Sequence, residues 1–269
     1  MPTRSPGWVA EMRFPRRALL AAPMIAAPFL AAASTPLAAV PISRMQLGWW
    51  KARHEAKLAE LRARRPDLIF LGDSITQNWE KIGPPAWQNF APTWLRLYGG
   101  RNPVNLGFSG DATSHLLWRI INGELDGISP RAAVILIGAN NLGRLHWSPE
   151  DSIAGIAAVV AETRRRLPRT KLLLLGVLPS IRSDWATAAT LTINAGLARR
   201  FGADAVPGAV YQDVGSVFLR GGKADPGQFY DGLITPPEPP LHPTALAQER
   251  MALAYEPTLA ALLGDRART

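Results

Sequence analysis

Cysteine is absent from the 269 residues, which removes disulfides, thiol nucleophiles and thiolate metal ligands together. Histidine is scarce, with four in all, and no pair has a metal-ligand spacing such as H-E-x-x-H. Neither G-x-x-x-x-G-K-[ST] nor G-x-G-x-x-G occurs, so neither a nucleotide cofactor nor a bound metal is expected. Long apolar runs are missing too. The best candidate, Ala18 to Ala33, is short and interrupted by Pro23 and Pro28, which argues against a stable membrane span. Basic residues outnumber acidic ones, 30 to 21, yet they form no stripe. Their two short runs, Arg62 to Arg65 and Arg164 to Arg166, fall at expected helix ends, where cations complement the helix dipole. Nucleic acid is therefore not an expected partner.

The first 39 residues read as an export signal: Arg13, Arg16 and Arg17, then the apolar stretch, then small residues with cleavage sites after Ala33 or Ala39. Arg16-Arg17-Ala-Leu-Leu also resembles a twin-arginine signal, and Met12 just ahead of it offers an alternative start. The protein is thus expected to be periplasmic or secreted. Without the leader's four arginines and one glutamate, the formal charge falls from +9 to +6. With 47% hydrophobic residues and no disulfide, the exported chain must rest on a packed core.

Residues 40–269 alternate strand and helix patterns. Arg44 to Arg65 is periodic in Leu47, Trp50, His54, Leu58 and Leu61, as an amphipathic helix would be. Leu68 to Leu71, ended by Gly72, reads as a strand buried on both faces. Similar strands are expected at Pro103–Phe108, Ala132–Ile137, Lys171–Leu178 and Val210–Val214. Helices are expected from Asp111 to Leu125, with Leu116, Leu117, Ile120 and Ile121 inward, and at Ser148–Leu167, Asp184–Phe201 and Thr244–Leu263. Ser148-Pro-Glu-Asp151 is a strong helix start, with a cap, a proline and then acids. Trp79 to Tyr98 reads as loop and short helix over the rim. The alternation predicts one α/β domain, a parallel sheet covered on both faces.

Three strand ends carry small or polar residues: Gly72-Asp-Ser74, Asn105-Leu-Gly107 and Gly138-Ala-Asn140. A parallel sheet gathers these ends along one edge, and His242, at the start of the last helix, can reach the same edge. Ser74 would attack a carbonyl while His242 takes its proton. The N–H groups of Ser74 and Gly107 and the amide of Asn140 would hold the oxyanion. A plainer reading of Asp73-Ser74 is a helix cap. Ser109, in Gly107-Phe-Ser-Gly-Asp111, nearly matches the G-x-S-x-G elbow, but it and Asp111 are expected to cap the next helix. His54, His115 and His146 are expected to pack or face solvent.

Gly72-Asp-Ser-Ile-Thr76, Asn105-Leu-Gly-Phe-Ser-Gly-Asp111, Gly138-Ala-Asn-Asn141 and His242-Pro243 resemble the SGNH (GDSL-type) hydrolases, and among them the platelet-activating-factor acetylhydrolase catalytic subunits. The resemblance spans about residues 60 to 262. It implies a three-layer α/β/α, flavodoxin-like fold on a five-stranded parallel sheet, and metal-free ester hydrolysis. It implies Ser74 as nucleophile, Gly107 and Asn140 as oxyanion donors and His242 as base. One position departs: Pro239 stands where the family has an aspartate three residues before the histidine. Asp231 reaching across a loop, Glu238, or a dyad oriented by a backbone carbonyl are the three ways to fill that role.

The expected substrate is an acyl ester of a small molecule or glycan. Trp79, Trp87, Trp94 and Trp147 would either stack sugar rings or simply pack the loops. Two other functions use the same residues. One is a non-catalytic glycan-binding module, suggested by the displaced acid and by the nine tryptophans. The other is acyl transfer to a sugar hydroxyl.

Overall fold

Runs of Leu, Ile, Val and Ala become strands where they are short and bounded by Gly or Pro, and five of them pair here. They are β1 (Leu68–Gly72), β2 (Pro103–Gly107), β3 (Ala132–Leu136), β4 (Lys171–Leu175) and β5 (Ala209–Gln212). The computed structural model describes residues 34–202 and 206–269, with residues 1 and 3. The four pairings among these five strands are parallel, in the order β2-β1-β3-β4-β5. Every residue of β1, β2 and β3 is buried, which is why each reads as an unbroken apolar run instead of an alternating one.

Among the described residues, eight α-helices cover the sheet and its rim: α1 (Gly48–Arg64), α2 (Ser74–Gln77), α3 (Ala91–Tyr98), α4 (Thr113–Arg119), α5 (Ala139–Gly143), α6 (Pro149–Arg166), α7 (Asp184–Phe201) and α8 (Ala245–Leu263). Leu61, Leu116, Ile156 and Ile193 from α1, α4, α6 and α7 pack with Ile69, Val104, Ile135 and Leu172 on one face. Leu97 of α3 and Met251, Tyr255 and Leu259 of α8 pack with Leu68, Phe70, Val134 and Leu173 on the other. The result is the expected three-layer α/β/α fold. β2 lies on one side of β1 and β3 on the other, so the crevice of this topology opens beyond the carboxyl ends of β1 and β3.

The helix starts at Ser148 and Thr244 are capped by side chains. Ser148 Oγ accepts from Asp151 N–H at 3.0 Å, and Thr244 Oγ1 accepts from Ala247 N–H at 3.2 Å. Asp184–Phe201 is helical over the predicted span. Other expectations need correction. Asp111 and Ser109 do not cap α4; Ala112 precedes it, with its N–H donated to His115 Nδ1 at 2.9 Å. The helix gives way at Ile120 to a wider turn through Glu124, and Ile121 faces outward. β4 ends after Leu175: Gly176 N–H makes the last bond to β5, at Gln212 O, and Val177 N–H then goes to the Asn194 side chain instead of to a strand. A small antiparallel hairpin, Leu219–Arg220 with Lys223–Ala224, precedes the loop that carries Asp231 and His242.

Most of the predicted leader lies outside the described residues. Its last part, Leu37–Ala39, forms a 3₁₀ turn with Ala38 fully buried and its carbonyl accepting from Thr113 Oγ1 at 2.7 Å. Residues 35–269 pack as one unit. Among the described residues, no helix is long and apolar enough to cross a membrane.

Candidate active site

The chain turns sharply after β1. A Cβ on Gly72 would sit 2.1 Å from Thr76 Oγ1 and 2.5 Å from Leu136 O, so only glycine fits there. Asp73 Oδ1 accepts from Ile75 N–H at 2.9 Å and starts α2. The capping reading is therefore correct for Asp73, and it leaves Ser74 at the first helical position with its hydroxyl free to face the crevice. Ser74 Oγ lies 2.9 Å from His242 Nε2, across 168 residues of chain.

His242 Nδ1 lies 2.5 Å from Asp231 Oδ1. The other carboxylate oxygen, Oδ2, accepts from the N–H groups of Leu241 and His242 at 2.7 and 2.5 Å. Burial pushes the Asp231 carboxyl up, but the His242 hydrogen bond, the two N–H donors and the imidazole's charge outweigh it and hold it below the usual range. An ionised Asp231 keeps the proton on Nδ1 and leaves the Nε2 lone pair toward Ser74. Of the three candidates for this role, Asp231 is the one in contact. Glu238 lines the crevice, and its N–H donates to Asp231 O at 2.9 Å. The imidazole is stacked on Tyr230 at 5.4 Å, and Tyr230 on Trp87 at 5.2 Å. Tyr230 Oη accepts from Asn78 Nδ2 and Lys81 Nζ, each at 3.0 Å.

The predicted oxyanion donors divide. Asn140, on α5, is buried and lines the crevice; its Nδ2 donates one hydrogen to Asp111 O at 3.0 Å and has a second to offer. Gly107 does not line the crevice. Its N–H donates to Asn105 Oδ1 at 2.8 Å, and its α-carbon is pressed against the Asp73–Gln77 turn. Gly110 lines the crevice instead, with φ of +73° and an N–H that has no partner among the described residues. A Cβ there would fall 2.4 Å from Arg144 Nη1. The Ser-Gly dipeptide at 109–110 is a turn signal that could have pointed to it.

Asn141, next to Asn140, is fully buried and clamps the start of α4: its Oδ1 accepts from Thr113 N–H at 3.0 Å and its Nδ2 donates to Thr113 Oγ1 at 2.9 Å. Beneath the rim, Arg119 is fully buried. It donates to Asp111 Oδ2 (2.9 Å), Glu124 Oε2 (2.5 Å), Leu106 O (3.1 Å) and Gly72 O (3.1 Å). Asp111 also accepts from Trp50 Nε1 at 2.8 Å and Arg44 Nη1 at 2.9 Å. His54 packs on Trp50, and His115 folds back over the start of its own helix, α4, where burial and nearby arginines push its imidazole down to about 4. Trp79 and Trp94 pack into the core beside Phe70 and Tyr98. Among the described residues, no three His, Asp or Glu side chains cluster as metal ligands would.

A hydroxyl, an imidazole and a carboxylate in hydrogen-bonded series, at the carboxyl edge of a parallel sheet, define a serine hydrolase. A family model described as GDSL-like lipase/acylhydrolase matches residues 70–250, and the chain belongs to that family. The alpha1 subunit of platelet-activating factor acetylhydrolase IB from Bos taurus is 33% identical over 132 residues, 49% of this chain and 52% of its own. The chain spans about half the length of the curated relatives it matches. A GDSL-like lipase from Bacteroides thetaiotaomicron superposes with a TM-score of 0.58 at 18% identity, covering 78% of this chain and 97% of its own. A carbohydrate acetylesterase from Sinorhizobium meliloti gives 0.52 at 15% identity, covering 72% and 98%. These two likenesses are of fold.

Proposed function

We propose that this protein is an exported serine esterase that removes short acyl groups, acetyl foremost, from a carbohydrate alcohol. The observation that carries the reading is the 2.9 Å approach of Ser74 Oγ to His242 Nε2, backed by Asp231 on the far side of the ring. Ser74 Oγ attacks the ester carbonyl as its proton passes to Nε2. The oxyanion accepts from the N–H groups of Ser74 and Gly110 and from Asn140 Nδ2, with Gly110 taking the part expected of Gly107. The imidazolium, stabilised by Asp231, then gives its proton to the departing alcohol. Water repeats the sequence on the acyl-serine and releases the acid.

A short acyl group fits the lining. The cleft holds about 450 Å³, and Leu241 is the one apolar side chain among the described residues that bound it beside Ser74, Asn140, Arg144, Arg182 and His242. A long acyl chain would need an apolar wall to gain from leaving water. Two of the similar proteins are named for acetyl removal. The suggestion of a binding module without catalysis loses one of its two motives, because an acid does stand beside His242.

The test is hydrolysis of 4-nitrophenyl acetate by wild type and by Ser74→Ala, with a loss of about 10⁴-fold or more expected. Equal rates would remove Ser74 from the chemistry. Export is supported by the leader's composition, and the packing of Ala38 favours cleavage ahead of Leu37. Intact mass of the protein recovered from the cell envelope checks both points; a full-length chain confined to the cytoplasm contradicts them.

A further inference from the structure

A second cleft, of about 340 Å³, adjoins the first and shares Gly143, Arg182 and Glu238 with it. Its wall is Trp185, near the start of α7, an indole left 42% exposed. An exposed indole inside a concavity differs from one on an open surface, because a ligand can cover it while touching other walls. His146 meets it at 5.6 Å between ring centroids, with the planes 48° apart, so the two rings form a corner. His146 is held there with φ of +51°, a conformation unusual for a residue with a Cβ and one that recurs where a side chain is aimed for use.

Two charged groups stand between this corner and Ser74. Arg182 donates through Nε to Pro239 O at 3.3 Å and forms no ion pair among the described residues. Glu238 is exposed, forms none either, and is held by its N–H to the carbonyl of Asp231. A guanidinium offers several donors and a carboxylate only acceptors, so together they suit neighbouring hydroxyls. A hydrocarbon or acylglycerol alcohol laid here would strip water from both charges without replacing it. An aromatic face beside such a pair suits a ring with an apolar C–H face and a hydroxylated edge.

We propose that this cleft is the alcohol-side subsite, in which a pyranose ring stacks on Trp185 and hydrogen-bonds Arg182 and Glu238 while its acyl ester reaches Ser74. The inference rests on the esterase reading and gives it a substrate class. Glu238, whose sequence position suggested a partner for His242, acts here on the leaving group. Of the four tryptophans expected to stack sugar, Trp79 is buried, Trp94 packs on Phe70 and Trp87 on Tyr230, and none lines this cleft; the indole that does is on α7.

The experiment compares an acetylated methyl xylopyranoside with ethyl acetate, using wild type, Trp185→Ala and Trp185→Phe. The kcat/KM for the sugar acetate is expected to fall about tenfold more than that for ethyl acetate in Trp185→Ala, the scale of one aromatic contact. The loss should appear mainly in KM, with partial recovery in Trp185→Phe. Binding of the sugar acetate to Ser74→Ala, followed by tryptophan fluorescence, should weaken in parallel when Trp185→Phe is added. Turnover of ethyl acetate with equal effects of Trp185→Ala on both esters overturns this inference alone. Turnover of neither ester by wild type overturns it together with the esterase reading.

Discussion

The site is assembled from two unlike halves. Ser74, Gly110 and Asn140 stand beyond the ends of β1, β2 and β3, whose ladders fix their spacing. Arg119 ties those ends together from below through Gly72 O and Leu106 O, and reaches the Gly110 loop through Asp111. Asp231 and His242 come instead from residues 221–243, which contain no long element. That half is ordered by hydrogen bonds converging on one side chain: Asp231 takes the N–H of Leu241, the N–H of His242 and the imidazole. A further bond from Tyr230 N–H to His242 O, at 2.9 Å, closes the loop. The sheet half has its geometry from the fold. The loop half has it from the same carboxylate that sets the histidine tautomer, so structure and chemistry there cannot be separated.

The largest effect is expected where the loop half is broken. Asp231→Asn keeps the size of the side chain but presents a donor to Nδ1, favouring the wrong tautomer. The comparable change in a serine protease triad lowers kcat about 10⁴-fold, and a loss of about that order is expected for 4-nitrophenyl acetate. Glu238→Gln should cost that substrate no more than a few-fold. Equal losses in the two variants would show that the loop rearranges in solution and that Asp231 is not the sole orienting acid.

The sheet half should break through stability first. Arg119→Met leaves Asp111 and Glu124 buried without their shared cation, and breaking such a pair from one side costs about 3–5 kcal/mol. Urea unfolding reads it directly. Arg119→Lys, which keeps the charge but not the fork, is expected to recover part of that loss. A change below about 1 kcal/mol in Arg119→Met would mean that the strand ladders alone hold the rim.

The same division decides how far the site was legible in the chain. Strands, the helix caps at Ser148 and Thr244, and the residues at the strand ends follow from short-range signals, and the parallel sheet then brings them together. Ser74 and His242 were therefore readable 168 residues apart. Gly107 was expected as a donor because it is a glycine at a strand end; its N–H donates to the Asn105 side chain, two residues back, a pairing that no pattern along the strand announces. Gly110 lines the crevice through a turn whose left-handed residue periodicity does not reveal. Asp231 was one of three options because the loop between it and His242 has no pattern to fix its path. The inward face of Asp111 was missed for a different reason: two of its partners, Trp50 and Arg44, lie more than 60 residues back along the chain, and Arg119 reaches it from the far end of the helix that follows.

The smallest effect sharpens the contrast between two aspartates on either side of His242. Asp231 is held low by donors, while Asp73 has one donor, Ile75 N–H, and a buried Oδ2 with no partner among the described residues. Burial pushes Asp73 up, from an ordinary 3.8 to about 7, against the Ile75 hydrogen bond and the His242 charge and with help from the nearby Asp111. Between those two values the folded protein binds more protons at Asp73 than the unfolded chain does. Stability from this residue therefore declines as pH rises through that window and is flat above it. Asp73→Asn keeps an acceptor for Ile75 N–H and cannot ionise. Its urea midpoint should gain on wild type steadily from about pH 4 to about pH 7 and then run parallel. Parallel curves across the whole range would mean that Asp73 is ionised in the folded protein, with a partner for Oδ2 such as a bound water.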